Sequence, residues 1–169
     1  MELKQSDHSL SASDMLTLSQ PVTMYADNLA KWGSMQMGIT QITITVRCTE
    51  IDVNGHVNNA KFVEYYEWGR EDWYEQHQLP YETLSNMGFI TVVARAEIDY
   101  RQPAHQNEQL LVTTWLSDVG RTSFRMRQRI TGTNGYLVSE AQFVIVTVDP
   151  TTRRPVPVPD AISKHRSSS

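Results

Sequence analysis

The sequence predicts an α+β domain in which one curved antiparallel sheet of five to six strands wraps around a single long helix. Three observations lead there. Only one stretch, residues 59 to 77, has sustained helical periodicity. Extended segments precede and follow it, and the later ones are joined by short links rich in turn residues. There is no internal repeat and no alternation of strand with helix, so a parallel sheet is not expected.

Residues 1 to 38 are rich in Ser, Gln, Asp and Met without a sustained period, and read as an extension that is flexible or docks on a partner. Within it Met24 to Trp32 can make a helical turn or two, and Trp32, Met35 and Met37 can dock. The domain proper is expected over 39–160. From Gln41, Ile42, Ile44 and Val46 alternate with Thr43, Thr45 and Arg47, the period of a half-buried strand ending near Cys48, which reads as a small buried apolar residue. Residues 49 to 59 are loaded with turn-forming and capping types and lead into the helix. There Phe62, Tyr66, Gly69 and Trp73 fall on one face, with Lys61, Glu64, Glu71, Asp72 and Glu75 on the others.

Four extended segments follow, at about 89–101, 108–118, 122–132 and 136–148. They are broken at Gln102-Pro103, at Ser117 to Gly120 and at Asn134-Gly135, the last a strong two-residue hairpin signal. Short links imply antiparallel neighbours, so the four are expected to run as a meander. The Pro-rich stretch 150–159 cannot donate a regular ladder, and 161–169 is expected to be a disordered tail. A sheet around one helix leaves edge strands to be covered, which a homodimer or homotetramer would do.

Composition narrows the function. A formal charge of −4 with scattered Lys and Arg leaves no basic block for a nucleic acid partner. No apolar run approaches the roughly 18 residues that cross a bilayer, and the start lacks a secretory layout, so a cytoplasmic protein with no membrane partner is expected. One cysteine and five scattered histidines predict no disulfide and no metal site, and without a Gly-rich phosphate loop no cofactor is expected.

The segment richest in chemistry is Arg47, Glu50, Asp52, Gly55, His56, Val57, Asn58 and Asn59, followed by Tyr65 and Tyr66 on the helix. It resembles the loop before the central helix of hotdog-fold acyl-CoA thioesterases of the 4-hydroxybenzoyl-CoA thioesterase type. The likeness extends over about residues 40 to 159 and includes Tyr100-x-x-Pro103, Gly120-x-Thr122-Ser123, Val148-Asp149 and Arg154 to Pro159. It implies hydrolysis of a thioester of coenzyme A or acyl carrier protein, with the coenzyme A moiety present only as substrate. It also implies Asp52 as the catalytic carboxylate and Asn59 as the backbone N–H donor to the carbonyl. Elementary chemistry agrees, since unpaired amides and the positive dipole end at a helix N-terminus can hold an oxyanion beside a carboxylate. Asp52 either attacks the carbonyl or activates a water.

Asp is among the best N-cap types, so a purely structural Asp52 that caps the helix is the competing reading, with Glu50, Asn58 and Asn59 as rivals for that position. His56 either orients a water or ties down the loop, and Glu64, one turn inside the helix, is the second carboxylate candidate. Gly55, Val57, Asn58, Tyr66, Arg121, Thr122 and Ser123 are the expected substrate contacts, and an acyl pocket is expected beside Phe62, Tyr65, Tyr66, Gly69 and Trp73. Arg125, Arg127 and Arg129 share one strand face that suits phosphate or plain solvation, and Arg153 and Arg154 form a further basic pair. Glu67 is a solvated helix carboxylate unless the chemistry moves to the helix. Many relatives carry Tyr where this chain has Cys48. The alternatives are an enoyl or 3-hydroxyacyl thioester hydratase or dehydratase built on His56 and Glu64, and a non-catalytic acyl-binding protein.

Overall fold

The structure, a computed structural model, describes residues 38–167, so the sequence readings on the N-terminal extension lie outside the described residues. Strand β1 (Ile39–Thr45) runs into a 3-10 turn (Cys48–Glu50), the loop, and the long helix α1 (Asn59–Gln76). A short helix α2 (Tyr81–Asn86) fills the connection after Pro80 that carried no sequence signal. Strands β2 (Ile90–Tyr100), β3 (Gln109–Val119), β4 (Ser123–Gly132) and β5 (Leu137–Val148) follow, and helix α3 (Asp160–Ser163) comes last. No helix among the described residues is long and apolar enough to cross a membrane.

The five strands form one sheet in the order β1-β3-β4-β5-β2, with every neighbouring pair antiparallel. This is a hotdog fold. The expected meander holds only for β3, β4 and β5: β2 leaves its sequence neighbour β3 and pairs with β5 instead. The link of residues 101–108 must cross three strand spacings, roughly 14 Å, and eight residues reach up to about 26 Å. A short link therefore does not force adjacency. Cys48 also departs from expectation: β1 ends three residues earlier, and the 3-10 turn leaves the thiol exposed.

Alternation decides which face the helix meets. Leu110, Val112, Leu116, Phe124, Met126, Ile130, Phe143 and Ile145 are buried in one core with α1, whose own buried stripe is Phe62, Tyr65, Tyr66, Gly69, Arg70 and Trp73. Gly69 sets the closest approach, because a Cβ there would stand 2.8 Å from side-chain atoms of Val112, Thr114 and Gln128. Gln128 uses this proximity to donate to the Tyr66 carbonyl and the Thr114 hydroxyl, each at 2.8 Å. Its Oε1 accepts from Arg70 at 3.0 Å, and the Arg70 guanidinium lies 4.0 Å from the centre of the Phe143 ring. Desolvation lowers the Arg70 pKa, and Gln128 and the aromatic face compensate the buried cation.

The segment expected to fray from residue 161 is instead packed. Ile162 is fully buried, and the Ser167 N–H donates to the Leu116 carbonyl at 3.0 Å. A single apolar anchor outweighs the fraying tendency of a polar tail. The His165 ring stands 4.2 Å from that of His77 and 5.9 Å from that of Trp73. Burial first, then the charges of His77 and Lys164, hold the His165 pKa below its ordinary value. The docked state thus favours neutral His165, so its stabilisation is complete above the ordinary histidine value of about 6.5 and is lost progressively as pH falls below it and through the lower folded value. Thermal melts at pH 8 and pH 5.5 should show a larger acid loss for the wild type than for His165→Gln; equal losses would remove His165 from the explanation.

Candidate active site

The loop between the 3-10 turn and α1 is a tight, internally bonded turn. The Asp52 N–H donates to the His56 carbonyl at 2.9 Å, and the Gly55 N–H donates to the Asp52 carbonyl at 3.0 Å. Gly55 adopts φ +81 with nothing near where a Cβ would project, so the backbone angle, and no lack of space, is what calls for glycine there. Ile51 bridges Val57, and the Val57 N–H donates to the Ala104 carbonyl at 2.9 Å. The β2–β3 link therefore lies across the loop. His105, in the same link, has Nδ1 3.2 Å from the Gly55 carbonyl. A carbonyl only accepts, so this contact is a hydrogen bond in the tautomer that carries its proton on Nδ1.

The competing capping role for Asp52 does not hold. Asn58 is the N-cap, its side chain accepting the Ala60 N–H at 2.9 Å. Asp52 Oδ1 accepts the Asn54 N–H at 2.8 Å and lies 3.8 Å from His56 Nδ1. Neither Asp52 Oδ2 nor the Asn59 N–H has a hydrogen-bond partner among the described residues. Asp52 and Asn59 both line one cleft of about 320 Å³, with His56, Val57 and Phe62. Tyr100, Arg101, Gln102 and Pro103 form its other wall.

The structure thus gathers Asp52, His56, Val57 and Asn59 in one cleft, with Gly55 and Asn58 shaping the loop that forms it. The other candidates lie elsewhere. Glu64 is turned to Lys61, whose Nζ donates to both its oxygens at 2.8 and 2.9 Å, and it does not line the cleft. Tyr66 is fully buried, donating to the Ser139 hydroxyl at 2.7 Å, and Tyr65 and Trp73 are equally buried. These aromatics fill the space between helix and sheet, so of the expected acyl-pocket residues only Phe62 faces the cleft. Arg121, Thr122 and Ser123 sit at the far end of β3 from the cleft, on the order of 30 Å away by strand length. There the Arg121 and Thr122 carbonyls accept N–H groups of Val158 and Thr147.

Two larger hollows, of about 660 and 530 Å³, lie on the outer face of the sheet around Trp115, Arg127 and Gln142. Their basic side chains are already engaged: Arg125 donates to Asp118 at 2.5 Å, and Arg129 stacks toward Trp115. The smaller cleft is the better candidate because it alone of the three joins a carboxylate to a helix N-terminus. Tyr100 and Arg101 line the wall without being among the site residues the sequence points to. The Tyr100 hydroxyl donates to the Asn59 carbonyl at 3.3 Å, and Arg101 pairs with Glu140 and Asp99. The Tyr-x-x-Pro spacing was the available signal, but which strand end meets the helix depends on sheet order.

Residues 46–165 match the model of the thioesterase-like superfamily. The chain is 34% identical over 116 residues to the long-chain acyl-CoA thioesterase FadM of Escherichia coli strain K12, covering 68% of this chain and 86% of FadM. It is 28% identical over 119 residues to the acyl-CoA thioester hydrolase YbgC of Escherichia coli O157:H7, covering 70% and 89%. Among solved structures it resembles Slr0204, a 1,4-dihydroxy-2-naphthoyl-CoA thioesterase from Synechocystis. The TM-score is 0.70 at 22% identity, over 76% of this chain and 95% of that one. A helix-wrapping sheet, a cleft at the helix N-terminus and a family match across 46–165 converge on one conclusion: the chain belongs to the thioesterase-like superfamily.

Proposed function

We propose that this protein hydrolyses an acyl-CoA thioester, with Asp52 as the acting carboxylate and the Asn59 N–H as oxyanion donor. The observation that carries this reading is that Asn58, and not Asp52, caps α1, which leaves Asp52 Oδ2 and the Asn59 N–H unpaired beside one cleft. Addition to the thioester carbonyl, by Asp52 itself or by a water it deprotonates, moves negative charge onto the carbonyl oxygen. An amide at the positive end of α1 stabilises that charge, and collapse expels the coenzyme A thiolate, which takes up a proton; where Asp52 is the nucleophile, a water then cleaves the Asp52–acyl anhydride to free acid and carboxylate. His56, near Asp52 Oδ1, orients the carboxylate.

A homodimer through β2 completes the site. This strand is largely exposed along its length, including Val92, Val93 and Tyr100, and its outer edge is unpaired among the described residues. Antiparallel pairing of two β2 edges sets the start of the partner's strand beside the end of this one. The 121–123 turn lies at that starting end, since Ser123 pairs with Val146 and Ile90 with Val148. In such a pair the turn would lie nearer the partner's cleft than its own, which supports contacts to the coenzyme A moiety. The hydratase reading loses support because Glu64 is paired with Lys61 outside the cleft.

The test is thiol release from short, long, branched and aromatic acyl-CoAs, with enoyl-CoA hydration measured in parallel. For at least one class kcat/KM should reach about 10⁴ M⁻¹s⁻¹ or more. Hydration without hydrolysis, or neither, would overturn the reading.

A further inference from the structure

Glu50 is the one carboxylate in this region that is buried, with 7% of its surface exposed, and the steps proposed above do not use it. It closes the 3-10 turn two residues before Asp52. A single oxygen, Oε2, accepts both the Arg47 N–H at 2.6 Å and the Tyr65 hydroxyl at 2.8 Å. Its backbone carbonyl accepts the Asn58 N–H at 2.8 Å. Glu50 therefore touches the chain leaving β1, the second turn of α1, and the residue that caps α1.

We infer that Glu50, anchored by Tyr65, is a positioning residue that fixes the distance between Asp52 and the Asn59 N–H. The inference rests on the reading of those two groups given above. Asp52 and Asn59 are seven residues apart along a loop whose own bonds, from Asp52 to Asn54, Gly55 and His56, hold the turn without tying it to the helix. Val57 to Ala104 ties the loop to the β2–β3 link, whereas Glu50 registers the turn against the helix, binding α1 from inside the core through Tyr65 and from its cap through Asn58.

Tyr65 suits this task because helical side chains lean toward the N-terminus, which carries its hydroxyl back to the level of the loop. The ring is fully buried, and burial, reinforced by Glu50, holds the phenol well above its ordinary pKa, so it stays a donor. Because both bonds converge on one oxygen, an amide oxygen can take the place of the carboxylate oxygen. A methyl group cannot. Small displacements between a reacting carboxylate and an oxyanion donor lower turnover much more than they lower binding.

The experiment compares Glu50→Ala, Glu50→Gln and Tyr65→Phe with the wild type in steady-state acyl-CoA hydrolysis, each checked for folding by thermal melting. Tyr65→Phe and Glu50→Ala should lower kcat tenfold or more with KM within about twofold, and Glu50→Gln should restore kcat to within about threefold. Should Glu50→Ala not fold, Tyr65→Phe decides alone. A folded Tyr65→Phe enzyme with wild-type kcat, or a rise in KM at constant kcat, would overturn the positioning role. A wild type active in hydrolysis but insensitive to Asp52→Asn would instead overturn the reading on which it rests.

Discussion

Asp52→Asn should abolish nearly all turnover, about a thousandfold in kcat or ~4 kcal/mol of transition-state stabilisation, without a comparable change in melting temperature. The asparagine keeps an oxygen where Oδ1 accepts the Asn54 N–H, so the tight turn and its bonds to Gly55 and His56 survive. What disappears is the negative charge and the basicity of Oδ2. Because Asn58 caps α1, the substitution removes no helix cap, and stability should not confound the kinetics. Thiol release from the best acyl-CoA, with a melt on the same preparation, makes the comparison. A folded variant retaining more than a tenth of wild-type turnover would take Asp52 out of the reaction.

Trp73→Ala should produce the largest loss of stability, about 3–5 kcal/mol, against a total that for domains of this kind is ~5–15 kcal/mol. Trp73 is fully buried in the last third of α1, and its indole N–H donates to the Gly38 carbonyl at 2.8 Å. It also carries the His77 ring 4.2 Å away and faces His165, so it joins the start of β1, the end of α1 and the C-terminal segment. Truncation opens a cavity and orphans a carbonyl at the same point. Urea unfolding measures the effect, with Trp73→Phe expected to lose less because most of the ring volume remains. A loss below about 1.5 kcal/mol for Trp73→Ala would mean that the site collapses around the missing ring.

The elements were largely legible because their patterns are local. Ile42, Ile44 and Val46 alternate, Phe62 to Trp73 form one helical face, and Asn134-Gly135 marks a hairpin, and each appears where the period placed it. The loop chemistry was legible for the same reason, since Asp52, Gly55 and Asn59 act within eight residues. What the period could not convey was the pairing of β2, because the length of the 101–108 link is compatible with either neighbour. The same ignorance hid Tyr100, Arg101 and His105 from the site. Tyr66 was misplaced differently: a helical period says which side chains share a face, but not whether that face meets the sheet or a cleft. Ile162 shows the limit of compositional reading, since one apolar residue among prolines and polar residues suffices to seat a short helix.

The crossing of the 101–108 link over the sheet end also bears on how the molecule assembles. Strands β3, β4 and β5 are joined by tight turns and can zip locally. The β1–β3 ladder, by contrast, joins residues 64 positions apart (Thr45 with Gln109) to 76 positions apart (Ile39 with Trp115). Such non-local pairings are reached slowly, because long loops must close before any bond rewards them. The bonds that clasp the loop, Val57 to Ala104 and Asn107 to Val46, are likewise non-local. The cleft is therefore not a local ornament of the helix but a product of long-range closure, and a chain trapped with only its β3–β5 hairpins formed would hold Asp52 and Asn59 without the clasp that frames them.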